Sequence, residues 1–249
     1  GLWVDSAAAY RKSGVSVETD IPYGDHAREK FDIVWPDNAP KGLAVFIHGG
    51  FWMRLDKSYW TDFAEGARAN GRAVCLPSYT LAPEARLSHM TQQIGAAISA
   101  AASRVAGPIR ISGHSAGGHL ATRMMCEDTP LSPNVIARVA HTVSISGLHD
   151  LRPLMQTKMN DVLKLDESEA VRESACLLRP QSNIPLTCWV GGGERPEFVR
   201  QSQILAMIWD GLDCQTTCQI EGQHNHFTVI EGLRDPDSRI THSLLGIGS

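Results

Sequence analysis

Pro108-Ile109-Arg110-Ile111-Ser112-Gly113-His114-Ser115-Ala116-Gly117-Gly118-His119-Leu120-Ala121-Thr122 decides how this chain folds. The first five residues read as a strand, and the stretch from Ala116 reads as a helix. Between them stands Gly-x-Ser-x-Gly, with Ser115 at its centre. A serine on so sharp a strand-to-helix turn holds a strained backbone, and its neighbours two positions away must lack side chains that would clash. The helix starting just behind it aims its positive end at the turn, where negative charge develops during acyl transfer. A glycine-rich turn of purely structural use is the bland alternative, and the strand–turn–helix context argues against it. His114 and His119 are five residues apart, and His114 lies in the turn, so they do not form the i, i+4 pair that shares a metal. No metal is expected, and His119 reads as a packing residue.

Upstream, residues 43–47 form an apolar strand that runs into His48-Gly49-Gly50-Phe51-Trp52. Glycines let a backbone approach a reacting group and point N–H groups at it, and each such donor is worth about 3 kcal/mol to an oxyanion. The backbone N–H groups of Gly50, Phe51 and Ala116 are the expected oxyanion donors, with Gly49 shaping the turn.

Downstream, a nucleophile of this kind is followed in chain order by its acid and its histidine. Residues 185–190 read as the next-to-last strand, followed by Gly191-Gly192-Gly193-Glu194. Glu194 is the expected acid. Glu197, one turn into the next helix, is its rival. The histidine belongs on the loop after the last strand, in Glu221-Gly222-Gln223-His224-Asn225-His226-Phe227. His226 is the expected base, because Phe227 can anchor the loop where a helix over 228–233 begins. His224 is the alternative. In this arrangement a carboxylate holds the imidazole tautomer, and the imidazole takes the serine proton and returns it to the leaving group.

The rest of the chain fits the same frame. Runs at 31–35, 43–47, 72–76, 108–112, 139–146, 185–190 and 215–220 read as strands. Runs at 57–70, 87–106, 116–126, 196–209 and 238–245 read as helices between them. Such alternation predicts an α/β fold with a mostly parallel sheet covered on both faces and an antiparallel edge before Lys41. Residues 148–183 break the alternation and are expected to form a short cap or lid insertion over the site. A single domain over residues 1–249 is expected. At this length about three quarters of the unfolded chain's surface is buried, so no staples are needed.

The hydrophobic fraction of 43% and charged fraction of 20% are ordinary for a globular protein. Scattered basic residues and a net charge of -4 give no nucleic-acid surface. The longest weakly polar run, residues 94–106, is too short for a membrane span and reads as a buried helix. The first five residues lack the basic and apolar regions of a leader. Six cysteines without a Cys-x-x-Cys pair read as reduced thiols of a cytoplasmic protein, and Cys214 and Cys218 on one strand lie too far apart to bridge.

The residues quoted above resemble the kynurenine formamidase (arylformamidase) group of the hormone-sensitive-lipase-like α/β-hydrolase esterases. The resemblance rests on His48-Gly49-Gly50-Phe51-Trp52, on Gly113 to His119, on Val190-Gly191-Gly192-Gly193-Glu194-Arg195-Pro196-Glu197-Phe198 and on His226-Phe227. Tyr79-Thr80-Leu81-Ala82-Pro83-Glu84 is similar to a further segment of these esterases. Ser115, Glu194 and His226 match the group's triad positions. Glu194 stands where animal members often carry aspartate, and Phe51 where tyrosine is frequent. Glutamate orients a histidine equally well.

The resemblance implies an α/β-hydrolase fold and hydrolysis of an aryl formamide, N-formylkynurenine, with no cofactor. A carboxylesterase, or an amide or carbamate hydrolase for small acyl or aryl substrates, is the alternative. A binding protein on an inactive hydrolase fold is a third reading, which the intact constellation opposes. Phe51, Trp52 and Tyr79 are candidate rings for an anilide, against the plainer reading of core packing, strongest for Tyr79. The expected partner is a small-molecule substrate, with no nucleic acid and no membrane, and a homodimer is left open.

Overall fold

The computed structural model of the chain describes residues 2–181 and 183–248, apart from the Leu2 side chain. Eight strands, β1 (Val17–Pro22), β2 (Lys30–Val34), β3 (Leu43–Ile47), β4 (Ala73–Pro77), β5 (Ile109–His114), β6 (Val139–Ile145), β7 (Leu186–Gly191) and β8 (Thr216–Glu221), form one sheet in the order β1-β2-β4-β3-β5-β6-β7-β8. β1 and β2 are antiparallel to their neighbours, and the pairs from β4 to β8 are parallel.

Strand periodicity divides the core in two, because successive side chains leave opposite faces. Leu43, Val45 and Ile47 of β3 point one way, with Ala73 and Cys75 of β4. Ala44 and Phe46, with Val74 and Leu76, point the other way. The first face is covered by α3 (Leu87–Arg104), α4 (Ala116–Arg123) and α8 (Pro196–Asp210). The second is covered by residues 60–67, which include most of α2 (Glu65–Ala69), and by α9 (Arg239–Leu245). Short helices α5 (Pro133–Ile136), α6 (Asn160–Leu163) and α7 (Glu167–Arg172) lie in the connections. Among the described residues no helix is long and apolar enough to cross a membrane.

Two local expectations are corrected, and one helix is added to them. The helix expected over 57–70 is two 3₁₀ turns, Lys57–Tyr59 and Thr61–Ala64, followed by α2. Asp56 caps the first turn through Ser58 N, and Lys57 reaches out to Asp32 at 2.7 Å and Asp20 at 2.9 Å. Trp60 and Phe63 are meanwhile buried against the sheet. These tertiary pulls break the helical period. The helix expected over 228–233 is a turn leading to a 3₁₀ segment, Glu231–Arg234, because Asn225 Oδ1 takes the N–H groups of Phe227 and Thr228. An N-terminal helix α1 (Leu2–Arg11) was not foreseen. It docks on residues 57–65, with the Tyr10 hydroxyl donating to Glu65 and Arg11 to Ser58 O.

Residues 148–181 are fixed to α3, α4 and α8. Leu151, Leu163, Ala170 and Ala175 are buried with them in the first core layer. Glu173, buried, accepts from Thr91 at 2.7 Å and from Arg123 Nε at 3.1 Å. Removing Arg123 costs about 3–5 kcal/mol, because Glu173 is left as an uncompensated buried charge, whereas Arg123 also pairs with Asp128 at 2.8 Å. Gln201 of α8 accepts the N–H groups of His149 and Asp150.

Four histidines are buried, and burial disfavours their charged form. His119 and His149 are pushed down to about 3 and His48 to about 4, while His114 is held well below its ordinary value. Unfolding restores the ordinary value, so between these pH limits the unfolded chain binds more protons. The stability they contribute is complete above about pH 6.5 and is lost as pH falls towards 3. The melting temperature is therefore expected to fall by several degrees between about pH 7 and pH 5, above the range where carboxylates titrate. A melting temperature flat over that interval would contradict the burial argument.

Candidate active site

The site is assembled at the carboxyl ends of the parallel strands, where an open α/β sheet leaves its crevice. The register sets this: Ile47 of β3 lies opposite Gly113 of β5, His114 opposite Ile145 of β6, and Gly191 of β7 opposite Glu221 of β8. The loops that follow these strands carry every residue of the expected constellation.

Ser115 joins β5 to α4 with φ 56° and ψ -116°, a conformation that L-residues rarely adopt. Its N–H is held by Ile145 O at 2.8 Å. The glycines two residues away are demanded by contact: a Cβ on Gly113 would lie 2.1 Å from Gly117 O, and one on Gly117 would lie 1.9 Å from Ile47 O. Among the described residues the Ser115 hydroxyl makes no side-chain hydrogen bond. Catalytic hydrogen bonds are often long in an unliganded site and tighten with substrate.

The β3 loop lies against this elbow. A Cβ on Gly49 would be 3.1 Å from Ser115 Cβ. Gly50 (φ 109°), Phe51 (φ 60°) and Trp52 (φ 59°) turn the chain through left-handed backbone. Among the described residues, the N–H groups of Gly50, Phe51 and Ala116 have no protein acceptor, as oxyanion donors require. Below the turn, Tyr79 stacks on the His48 ring at 4.6 Å and donates to His48 O at 2.9 Å.

Glu194 and His226 meet at 2.6 Å between Oε2 and Nδ1. The Glu194 carboxylate is fully buried, and its other oxygen accepts from the Ser146 hydroxyl and from Gly191 N. Three donors thus fix it. The His226 ring rests on Phe198 at 4.2 Å and on the His114 ring at 4.6 Å. The rivals lie elsewhere. Glu197 is half exposed and bound by Arg200 and Gln201, all at 2.8 Å. His224 is half-buried, with Nδ1 3.2 Å from the Thr228 hydroxyl and no carboxylate partner among the described residues.

His114 and His119 are already engaged. His119 accepts from Trp52 Nε1 and donates to Glu173 O at 2.9 Å. His114 donates through Nε2 to His226 O at 2.8 Å, tying the histidine loop to the residue beside Ser115. Neither this strut nor Ser146 was legible in the sequence, since both act across long separations. Among the described residues no group of three metal-ligating side chains occurs.

Two of the rings expected to receive substrate are corrected. Trp52 and Tyr79 are both 0% exposed and serve as packing beneath the β3 loop. Trp52 spends its N–H on His119 and Tyr79 spends its hydroxyl on His48 O. Phe51 alone of the three faces solvent.

A strained serine, an imidazole held against the residue before it and a carboxylate on that imidazole's outer nitrogen are the groups that acyl transfer to water requires, and the chain is a serine hydrolase acting on a small amide or ester. The family described as alpha/beta hydrolase fold matches residues 44–185, over half the sequence, and the chain belongs to that family. The kynurenine formamidase of Danio rerio is 28% identical over 236 residues, covering 91% of this chain and 80% of the relative. A crystal structure from Silicibacter, provisionally described as a thioesterase, is 43% identical with a TM-score of 0.92, covering 98% of this chain and 91% of that one. An esterase of Pyrobaculum calidifontis shares the fold at a TM-score of 0.77 and 17% identity, covering 99% of this chain and 92% of that one.

Proposed function

We propose that the chain is an arylformamidase that hydrolyses N-formylkynurenine to kynurenine and formate. The observation that carries this reading is the Glu194–His226 pair anchored beside the Ser115 elbow, in a chain similar over 91% of its length to a kynurenine formamidase. In the first half-reaction Ser115 Oγ attacks the formyl carbon while His226 Nε2 takes its proton. The N–H groups of Gly50, Phe51 and Ala116 receive the oxyanion. Collapse breaks the C–N bond, His226 returns the proton to the aryl amine, and a formyl ester remains on Ser115. Water then attacks that ester with His226 as base, releasing formate and the free serine. Glu194 keeps the Nδ1 proton in place and balances the imidazolium. No cofactor or metal enters these steps. Six free thiols, five of them buried, support a reducing, cytoplasmic setting.

The likeness to a structure described as a thioesterase favours a second reading, hydrolysis of small acyl esters or thioesters by the same steps. Comparing kcat/KM for N-formylkynurenine, p-nitrophenyl acetate and a short acyl thioester separates the two. The formamidase reading expects the highest value for N-formylkynurenine. A higher value for either ester, with slow turnover of the formamide, would replace it.

A further inference from the structure

A cleft of about 380 Å³ opens beside the reacting groups, lined by Trp3, Leu55, Tyr59, Phe227, Thr228 and Glu231. None of Ser115, Glu194, His226, Gly50, Phe51 and Ala116 lines it, but its walls adjoin them on two sides. Phe227 follows His226 in the chain, and their rings lie 5.6 Å apart. Leu55 ends the β3 loop, and a Cβ on Gly50 would lie 3.3 Å from its Cγ. Leu55 also has φ 69°, costly for such a residue and maintained only because its surroundings hold it there. The third wall is α1: Trp3 lies 5.9 Å from the Phe227 ring and 4.6 Å from Trp60, whose own ring lies 6.4 Å from that of His114. The carboxylate at the rim, Glu231, is engaged by Arg234, which leaves the interior apolar and aromatic. A larger cleft of about 710 Å³, lined by Arg110, His141 and Trp189 among others, includes no chain neighbour of His226, whereas the smaller cleft has Phe227 in its wall.

We propose that this cleft is the subsite for the aryl group of the substrate's leaving portion, and that Trp3 and Phe227 set specificity there. Because His226 hands its proton to the leaving atom, the leaving group must lie against the histidine loop, which is the side Phe227 walls. Aromatic rings pair in tilted or offset geometry, so these walls favour a flat ring beyond the burial of its area alone. The substrate class this implies is the aryl ester or anilide, with the aryl ring on the departing oxygen or nitrogen. The inference deepens the formamidase reading but tests separately from it.

The experiment measures kcat/KM for phenyl acetate and for ethyl acetate, which leave the same acetyl group on Ser115. The intrinsic reactivity of the two esters cancels when the ratio in a variant is divided by the ratio in the parent chain. Phe227→Ala and Trp3→Ala are each expected to lower that ratio about tenfold, mainly through KM for the aryl ester. Phe227 is 57% exposed, so its variant carries the test even if Trp3→Ala loosens α1. An unchanged ratio in Phe227→Ala, or an equal loss on both esters, overturns the subsite. Failure to turn over N-formylkynurenine with the aryl preference intact would instead remove the formamidase reading and leave the subsite standing.

Discussion

Ser115→Ala lowers kcat by about 10⁴-fold or more, and the protein stays folded. The loss is large because no other group on the elbow can form the acyl intermediate. Water would have to attack directly, helped only by the oxyanion donors and by binding. The fold survives for a structural reason. The Ser115 hydroxyl makes no side-chain hydrogen bond among the described residues, and the held group is its N–H, on Ile145 O, which alanine retains. Alanine inherits the same φ of 56°, so the backbone strain is unchanged. The check is turnover of p-nitrophenyl acetate together with a thermal melt. Undiminished turnover would place the nucleophile at another residue.

Glu194→Gln is expected to cost about 10²–10⁴ in kcat, and Glu197→Gln much less. Glutamine keeps the shape of the side chain, but its amide has one oxygen and one NH₂, and the surroundings choose which goes where. Ser146 and Gly191 N both donate to Oε1, so the amide oxygen must stay there. The NH₂ then faces His226 Nδ1, which has to accept. The ring proton moves to Nε2, and the nitrogen that should take the Ser115 proton no longer can. The imidazolium also loses its balancing charge. Glu197 holds only Arg200 and Gln201 at a half-exposed position, where an ion pair contributes about 0–1 kcal/mol. A larger loss at Glu197 than at Glu194 would reverse the assignment.

Much of this site was legible because its parts are local. The glycines around Ser115, the His48-Gly49-Gly50 turn and the Gly191–Gly193 run each satisfy a backbone requirement within a few residues, and such requirements are written directly into residue type and spacing. The choice of Glu194 over Glu197 and of His226 over His224 rested on position alone. The 2.6 Å contact between Oε2 and Nδ1 gives it a geometric basis.

By itself, then, the sequence determined the alternation of strands and helices, the layered sheet, the strained serine turn and the order of nucleophile, acid and histidine. Periodicity and local sterics are properties of neighbours in the chain. Only the tertiary structure decided which aromatic rings face the site. Trp52 and Tyr79 stand beside the catalytic turns in sequence, yet both are buried under the β3 loop. Trp3, over a hundred residues from Ser115, comes to rest against Phe227 because α1 docks on residues 57–65. The same holds for His114 on His226 O and Ser146 on Glu194. Such contacts are set by how the sheet brings distant loops to one edge, and no short-range pattern encodes that.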